Sequence, residues 1–254
     1  MAMDQQHISW LYILIMMNKI VYRDYKELSV ETARLIAGII AEKPGALLCF
    51  PAGETSLGTF EELIKLCRAG NLDISKCKIV GLDEWIHLGE MQKENCYNFL
   101  KKHLFDPLGI KSDKLCFYDG EAHDLQNECL MTDKFIQSNG GIDLMLLGVG
   151  MNGHIGLNEP GTPFDLYSHI LDLDEVTKNV GQKYFSTNTN LTKGITLGMK
   201  HIMETKTVVL QLSGQKKAAV VKHLLESEIT TNFPASIVKQ HPNAFLLLDF
   251  EASQ

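Results

Sequence analysis

Five short runs in this chain are apolar almost throughout: ALLCF at 46–50, KIVGL at 78–82, IDLMLLGVG at 142–150, TVVLQL at 207–212 and AFLLLD at 244–249. A strand with one wet face alternates apolar and polar residues, so unbroken apolar runs predict strands covered on both faces. IDLMLLGVG is the strongest of them, six apolar residues nearly in series and then a Gly-x-Gly. KIVYRD (19–24) and SHILDL (168–173) read as further strands. Apolar residues at helical spacing predict helices over 28–42, 58–69, 95–104, 125–138 and 216–226, and the stretch TKGITLGMKHIM (192–203) reads as a helical region. Strand–helix alternation of this kind gives an α/β fold whose parallel sheet is covered on both faces.

The 254 residues, 45% of them apolar and 22% charged, can bury one large core. A net charge of −7 argues against a nucleic-acid partner, which needs a basic face. The six cysteines form no Cys-x-x-Cys pair and several sit in apolar stretches. They read as reduced core residues, with a reducing cytoplasm as the expected compartment. The apolar run at 8–17 is too short to span a bilayer and lacks the flanks of a signal peptide. Residues 1–16 are therefore expected to be an extension without a catalytic part, and 17–254 a single domain.

Open α/β sheets bind ligands beyond the carboxyl ends of their strands. Three such ends stand out. Pro51-Ala52-Gly53-Glu54-Thr55-Ser56 follows ALLCF and opens a helix, which suits either an anion on the helix N-terminus or an ordinary capped turn. Asp83-Glu84 closes KIVGL; there one carboxylate can serve as a general base, or both can be solvated loop acids. His154 lies among five glycines in the segment 148–161, five residues before Glu159, and a nearby carboxylate can fix a histidine's tautomer. Gly148, Gly150 and Gly153 spell Gly-x-Gly-x-x-Gly, but Gly156, Pro160 and Gly161 argue against the helix a dinucleotide loop must open. His154 has no second histidine at ligand spacing, so no metal is expected. Lys216-Lys217 opens a helix after TVVLQL; those lysines are solvated or complement a phosphate.

In this order, GLDEW, GVGMNGHIGLNEPG and LSGQKKAAVV resemble the glucosamine-6-phosphate deaminase/isomerase family, over residues 19–249. The resemblance implies a modified doubly wound, Rossmann-like three-layer fold and a small-molecule sugar phosphate as substrate. The implied reaction opens the ring of a 2-amino-2-deoxyhexose 6-phosphate, moves the C2 proton to C1 and releases ammonia, with no metal or redox cofactor. By resemblance Asp83 is the base, His154 the acid/base of ring opening and Glu159 its tuning carboxylate. Asn152 joins them where many members carry Asp. Ala52, Gly53, Glu54, Thr55 and Lys217 match phosphate contacts, and Glu84, Gly150 and Tyr167 complete the expected substrate-contacting set.

The family's Ser-Arg-Thr after Asn-Glu-Pro-Gly is replaced by Leu166-Tyr167-Ser168, and no arginine occurs from 161 to 254. Tyr167, His169 or Lys193 is expected to replace part of that contact. Together with DPLG (106–109) and KGITLG (193–198), this makes the chain similar to the galactosamine-6-phosphate isomerases of the same family. The alternatives implied are glucosamine-6-phosphate deamination, lactone hydrolysis of the 6-phosphogluconolactonase type and a catalytically silent sugar-phosphate regulator. A homo-oligomer is compatible with this reading; a membrane or nucleic-acid partner is not.

Overall fold

The structure, a computed structural model, describes residues 17–254, with the backbone alone for 90–92. The expected extension at 1–16 lies outside the described residues. The chain runs through β1 (Asn18–Tyr22), α1 (Tyr25–Glu42), β2 (Leu47–Phe50), α2 (Leu57–Arg68), β3 (Lys78–Gly81), β4 (Asp83–Trp85), α3 (Cys96–Leu100), α4 (Asp106–Leu108) and β5 (Leu115–Cys116). It continues through α5 (Leu125–Ser138), β6 (Leu144–Leu147), β7 (His169–Asp172), α6 (Glu175–Gly181), β8 (Lys193–Thr196), α7 (Met199–Glu204), β9 (Thr207–Leu212), α8 (Ala218–Glu226) and β10 (Ala244–Asp249).

Seven strands form a parallel sheet in the order β1-β10-β9-β6-β2-β3-β5. Its apolar runs split by parity between two cores. Leu48 and Phe50 of β2 join Leu144 and Leu146 of β6 under α1 and α2, where Leu28, Ile36, Phe60 and Leu63 are buried. Cys49, Met145 and Leu147 face the other way, toward a core that includes Val220, Val221 and Leu224 of α8. Every residue of β2, β6 and β9 is buried, as their unbroken apolar character requires. Removing one such side chain, Leu146→Ala for instance, costs about 2–5 kcal/mol through lost transfer energy and the cavity left behind.

From β2 the chain moves outward to β3 and β5, then returns on the opposite side of β2 as β6. The order of strands therefore reverses between β2 and β6, and a crevice opens beyond their carboxyl ends.

One region departs from the expected elements. Residues 192–203 are not one helix: Lys193–Thr196 is strand β8, and only Met199–Glu204 is helical. β8 pairs antiparallel with β4 on one side and β7 on the other, a second sheet of three strands that the apolar pattern did not reveal. Gly194 and Gly198 explain the error. A Cβ on Gly194 would lie 2.3 Å from Leu157 Cδ1, and one on Gly198 2.1 Å from the Leu166 carbonyl oxygen. Both glycines admit close neighbours and do not serve a helix.

Candidate active site

The crevice is a cavity of about 480 Å³ whose wall includes residues of the β2–α2 loop, β4, the loop after β6, α6 and the turn before α8. Of the expected residues, Ala52, Gly53, Glu54, Thr55, Asp83, Gly150, His154 and Lys217 all line it. These positions span 166 residues of sequence (217 minus 51) and meet because strands that end at one edge of a sheet bring their following loops together.

Asp83 opens β4, where the chain leaves the central sheet for the small one. Burial pushes its carboxyl up to about 6, against the opposing pull of Cys96 and the charge of His154. Gly156, at φ +57°, lies behind it: a Cβ there would meet Thr196 Oγ1 at 2.8 Å and Asp83 Oδ2 at 3.4 Å. A side chain is therefore excluded on both steric and backbone grounds. The Thr196 hydroxyl accepts from Leu157 N at 3.2 Å, and the Asn158 amide donates to Ile155 O and Leu197 O at 2.8 and 2.9 Å. Asn158 thus staples the glycine-rich loop to the second sheet. No dinucleotide-type helix follows that loop; the chain makes turns and one isolated bridge, Ile155 to Asn158.

His154 sits against Gly150, where a Cβ would lie 2.3–2.5 Å from three ring atoms. Its Nδ1 is 3.0 Å from Thr177 Oγ1 of α6 and 3.5 Å from Glu159 Oε2. Burial works against ionisation of Glu159, but the neighbouring His154, Thr177 and Asn152 outweigh it and hold the carboxyl below its usual range. The Asn152 amide donates to Glu159 Oε2 at 2.9 Å and its carbonyl accepts from His154 N at 3.3 Å. Asn152 and Glu159 therefore stand behind the histidine and not on the cavity wall.

Lys217 is desolvated on the same cavity wall, and the nearby charge of Lys183 adds to that burial; its ammonium is lowered to about 8. It donates to Val149 O at 2.5 Å. Gly214, at φ +83°, turns the chain toward it, and Gly214 N is held by both oxygens of buried Asp249 at 3.0 Å. Gln211 reaches from β9 to hold Thr55 O at 3.3 Å and to accept from Thr59 Oγ1 at 3.0 Å.

Two of the residues expected to contact substrate lie off the cavity wall. Glu84 is buried away from the cavity, and its carboxylate accepts from Trp85 N, Cys96 N and Tyr97 N at 2.8–3.0 Å. Adjacent strand residues face opposite sides, so Asp83 and Glu84 could not both look into one crevice. Burial raises the Glu84 carboxyl to about 7 despite those three donors. Tyr167 is exposed, its hydroxyl donating to Glu204 at 3.0 Å and its ring lying against His201. The two other replacements for the arginine are also outside the cavity wall: His169 bonds back to Tyr167 O, and Lys193 lies 3.4 Å from Asp172.

Beside Lys217, the cavity gains basic side chains that no sequence motif marked. Lys183 lines the wall and pairs with Glu54 Oε2 at 2.8 Å, and Lys93, Lys102 and His103 also contribute. Cys96, Thr177 and Tyr184 were missed as well. The Asp174-Glu175 pair is a legible helix start, and Asp174 does cap α6 through Val176 N. Nothing local says which face of so short a helix looks inward. Among the described residues no cluster of three or more His, Cys, Asp or Glu could hold a metal ion, and no helix is long and apolar enough to cross a membrane.

A family model described as glucosamine-6-phosphate isomerases/6-phosphogluconolactonase matches residues 25–246. Glucosamine-6-phosphate deaminase of Bacillus pumilus is 42% identical over 237 residues, covering 93% of this chain and 98% of that protein. The deaminase of Clostridium perfringens is 35% identical over 239 residues, 94% of this chain and 99% of its own length. A solved monomeric glucosamine-6-phosphate deaminase superposes with a TM-score of 0.89 at 35% identity, covering 93% of this chain and 99% of that one. The 6-phosphogluconolactonase of Trypanosoma brucei, at 18% identity and a TM-score of 0.70, shares the fold.

Proposed function

Because the chain belongs to the family of glucosamine-6-phosphate isomerases and 6-phosphogluconolactonases, we propose that it converts a 2-amino-2-deoxyhexose 6-phosphate into a ketohexose 6-phosphate and ammonia. The observation that carries the proposal is the placing of a desolvated carboxylate, Asp83, and a carboxylate-backed histidine, His154, on one cavity that Lys217 and Lys183 also line.

The phosphate sits by these lysines, against the loop 52–55, where two ammonium groups already repel each other and gain most from a dianion. His154 Nε2 moves the proton that opens the pyranose ring. Asp83 then takes the proton from C2 of the open aldehyde and returns it to C1, leaving an imine at C2. Water adds to that imine, the C–N bond breaks, and ketone and ammonia result. A carboxyl near 6 suits this work, ionised enough at neutral pH to take the proton and basic enough to hold it.

The two C4 epimers divide the support. The curated relatives are named for the gluco substrate, whereas DPLG, KGITLG and the missing arginine favour the galacto one. Release of ammonia and ketose phosphate from both epimers, compared as kcat/KM, tests the reading. Turnover of either supports it. Turnover of neither, with hydrolysis of a phosphogluconolactone, replaces it by the lactonase reading that the same family model allows.

A further inference from the structure

Two groups approach Nδ1 of the His154 ring, and their arrangement decides where its proton sits. Thr177 Oγ1 is 3.0 Å from Nδ1, while Glu159 Oε2, at 3.5 Å, is beyond good hydrogen-bond reach and already takes the Asn152 amide at 2.9 Å. Thr177 is only 4% exposed, so its hydroxyl must be satisfied inside the protein.

A hydroxyl donates one hydrogen. If that hydrogen went to a bare Nδ1, the ring would turn its lone pair toward the Glu159 carboxylate 3.5 Å away, acceptor against acceptor. With the proton on Nδ1, the ring donates to Oγ1 at 3.0 Å and turns an N–H, not a lone pair, toward the carboxylate 3.5 Å away. We infer that Thr177 is a positioning residue that holds His154 as the Nδ1–H tautomer and leaves a bare Nε2 facing the cavity.

The surroundings keep this contact in place. Asp174 caps α6 through Val176 N at 2.8 Å, donates its own N–H to Glu159 Oε1 at 3.3 Å and accepts from Asn152 at 3.3 Å. Thr177 therefore stands one helical turn from a cap that is itself tied to Glu159. The charged groups around the ring are Glu159 and Asp174 behind it and Asp83 across the cavity. Asn152, where many relatives carry Asp, acts on Glu159 and on the histidine's backbone, so the threonine supplies the ring contact.

The inference rests on His154 as the acid/base of ring opening, but its first test does not. Long-range proton–nitrogen spectra of the ¹⁵N-labelled protein without substrate, with His154→Gln to assign the ring, should show the neutral Nδ1–H tautomer. The same pattern is expected for Thr177→Ser, and a mixed or Nε2–H pattern for Thr177→Val. Turnover should follow: Thr177→Val loses roughly three- to tenfold in kcat, the worth of one hydrogen bond, with KM changed less, and Thr177→Ser recovers it.

An Nε2–H pattern in the parent protein overturns the inference. So does a Thr177→Val protein whose ring keeps the parent tautomer, whatever its kcat, since the loss is then one of packing. If Thr177→Val does not fold, the parent and Thr177→Ser spectra decide. An Nδ1–H parent that turns over no amino-sugar phosphate upholds the inference and sinks the proposed function instead.

Discussion

The two ends of the central sheet each hold a buried acid, and the two are treated in opposite ways. Asp143, just before β6, receives Lys43 Nζ at 2.7 Å, Lys206 Nζ at 2.7 Å and Leu47 N at 2.8 Å. Burial alone would raise its carboxyl, but those lysines outweigh burial and hold it below the ordinary range. Asp83, beyond the other end of β3, is desolvated with little to offset it and rises to about 6. A fold that can saturate one acid has the means to saturate the other. The contrast teaches where to look: matched charge marks stability, and unmatched charge on a cavity wall marks chemistry.

Asp83→Asn should give the largest effect of any exchange that sharpens this contrast. As general base it should lose roughly 10²–10⁴-fold in kcat. Its folded-state carboxyl is raised, so the native protein binds that proton more tightly than the unfolded chain and loses stability as pH climbs toward 6. The variant should therefore unfold at the same or higher denaturant concentration than its parent near neutrality. Parent kcat/KM should fall as pH drops through about 6, where the base is protonated. Turnover kept in the variant removes Asp83 from the mechanism.

Asp143→Asn should do the reverse. Losing the centre of a two-lysine cluster that also receives Leu47 N should cost about 3 kcal/mol, read from the shift of the urea midpoint. Its carboxyl is lowered, so the stabilisation is complete above the ordinary carboxylate range and disappears as pH falls below it. kcat per folded molecule should match the parent's. A variant as stable as the parent but slower breaks the division between the two ends.

How much of this was legible in the sequence follows the same division. The central sheet could be read because β2, β6 and β9 are buried on both faces and their residues say so. The second sheet could be read only at β7: β4 has three residues and β8 four, and Gly194 and Gly198 resemble interruptions of a helix more than strand neighbours. At the site, Asp83 and His154 stood out because each follows a strong strand, whereas Lys217 entered through the family resemblance. Lys183 and Thr177 follow β7, whose residues are mostly half-exposed, and only the packing of α6 over the crevice brings them in. Glu84 was misplaced because a dipeptide read as a pair of acids is, on a strand, two residues with opposite outlooks.

The smallest effect is expected where charge is matched at the active end, between Glu54 and Lys183. This pair spans the cavity wall at 2.8 Å, with side chains 66% and 44% exposed, so it adds little to stability. Its consequence falls on the ligand. A phosphate arriving beside Lys217 meets a carboxylate that already holds the second ammonium, and must displace it. Glu54→Gln should therefore lower KM for the phosphorylated substrate by roughly two- to fivefold, the worth of one exposed ion pair. The gain should shrink at high salt, where screening already weakens Glu54, and the unfolding midpoint should stay at the parent value. A KM that rises instead identifies Glu54 as a ligand of the sugar hydroxyls, and the cavity lysines then bind the anion with the Glu54–Lys183 pair intact.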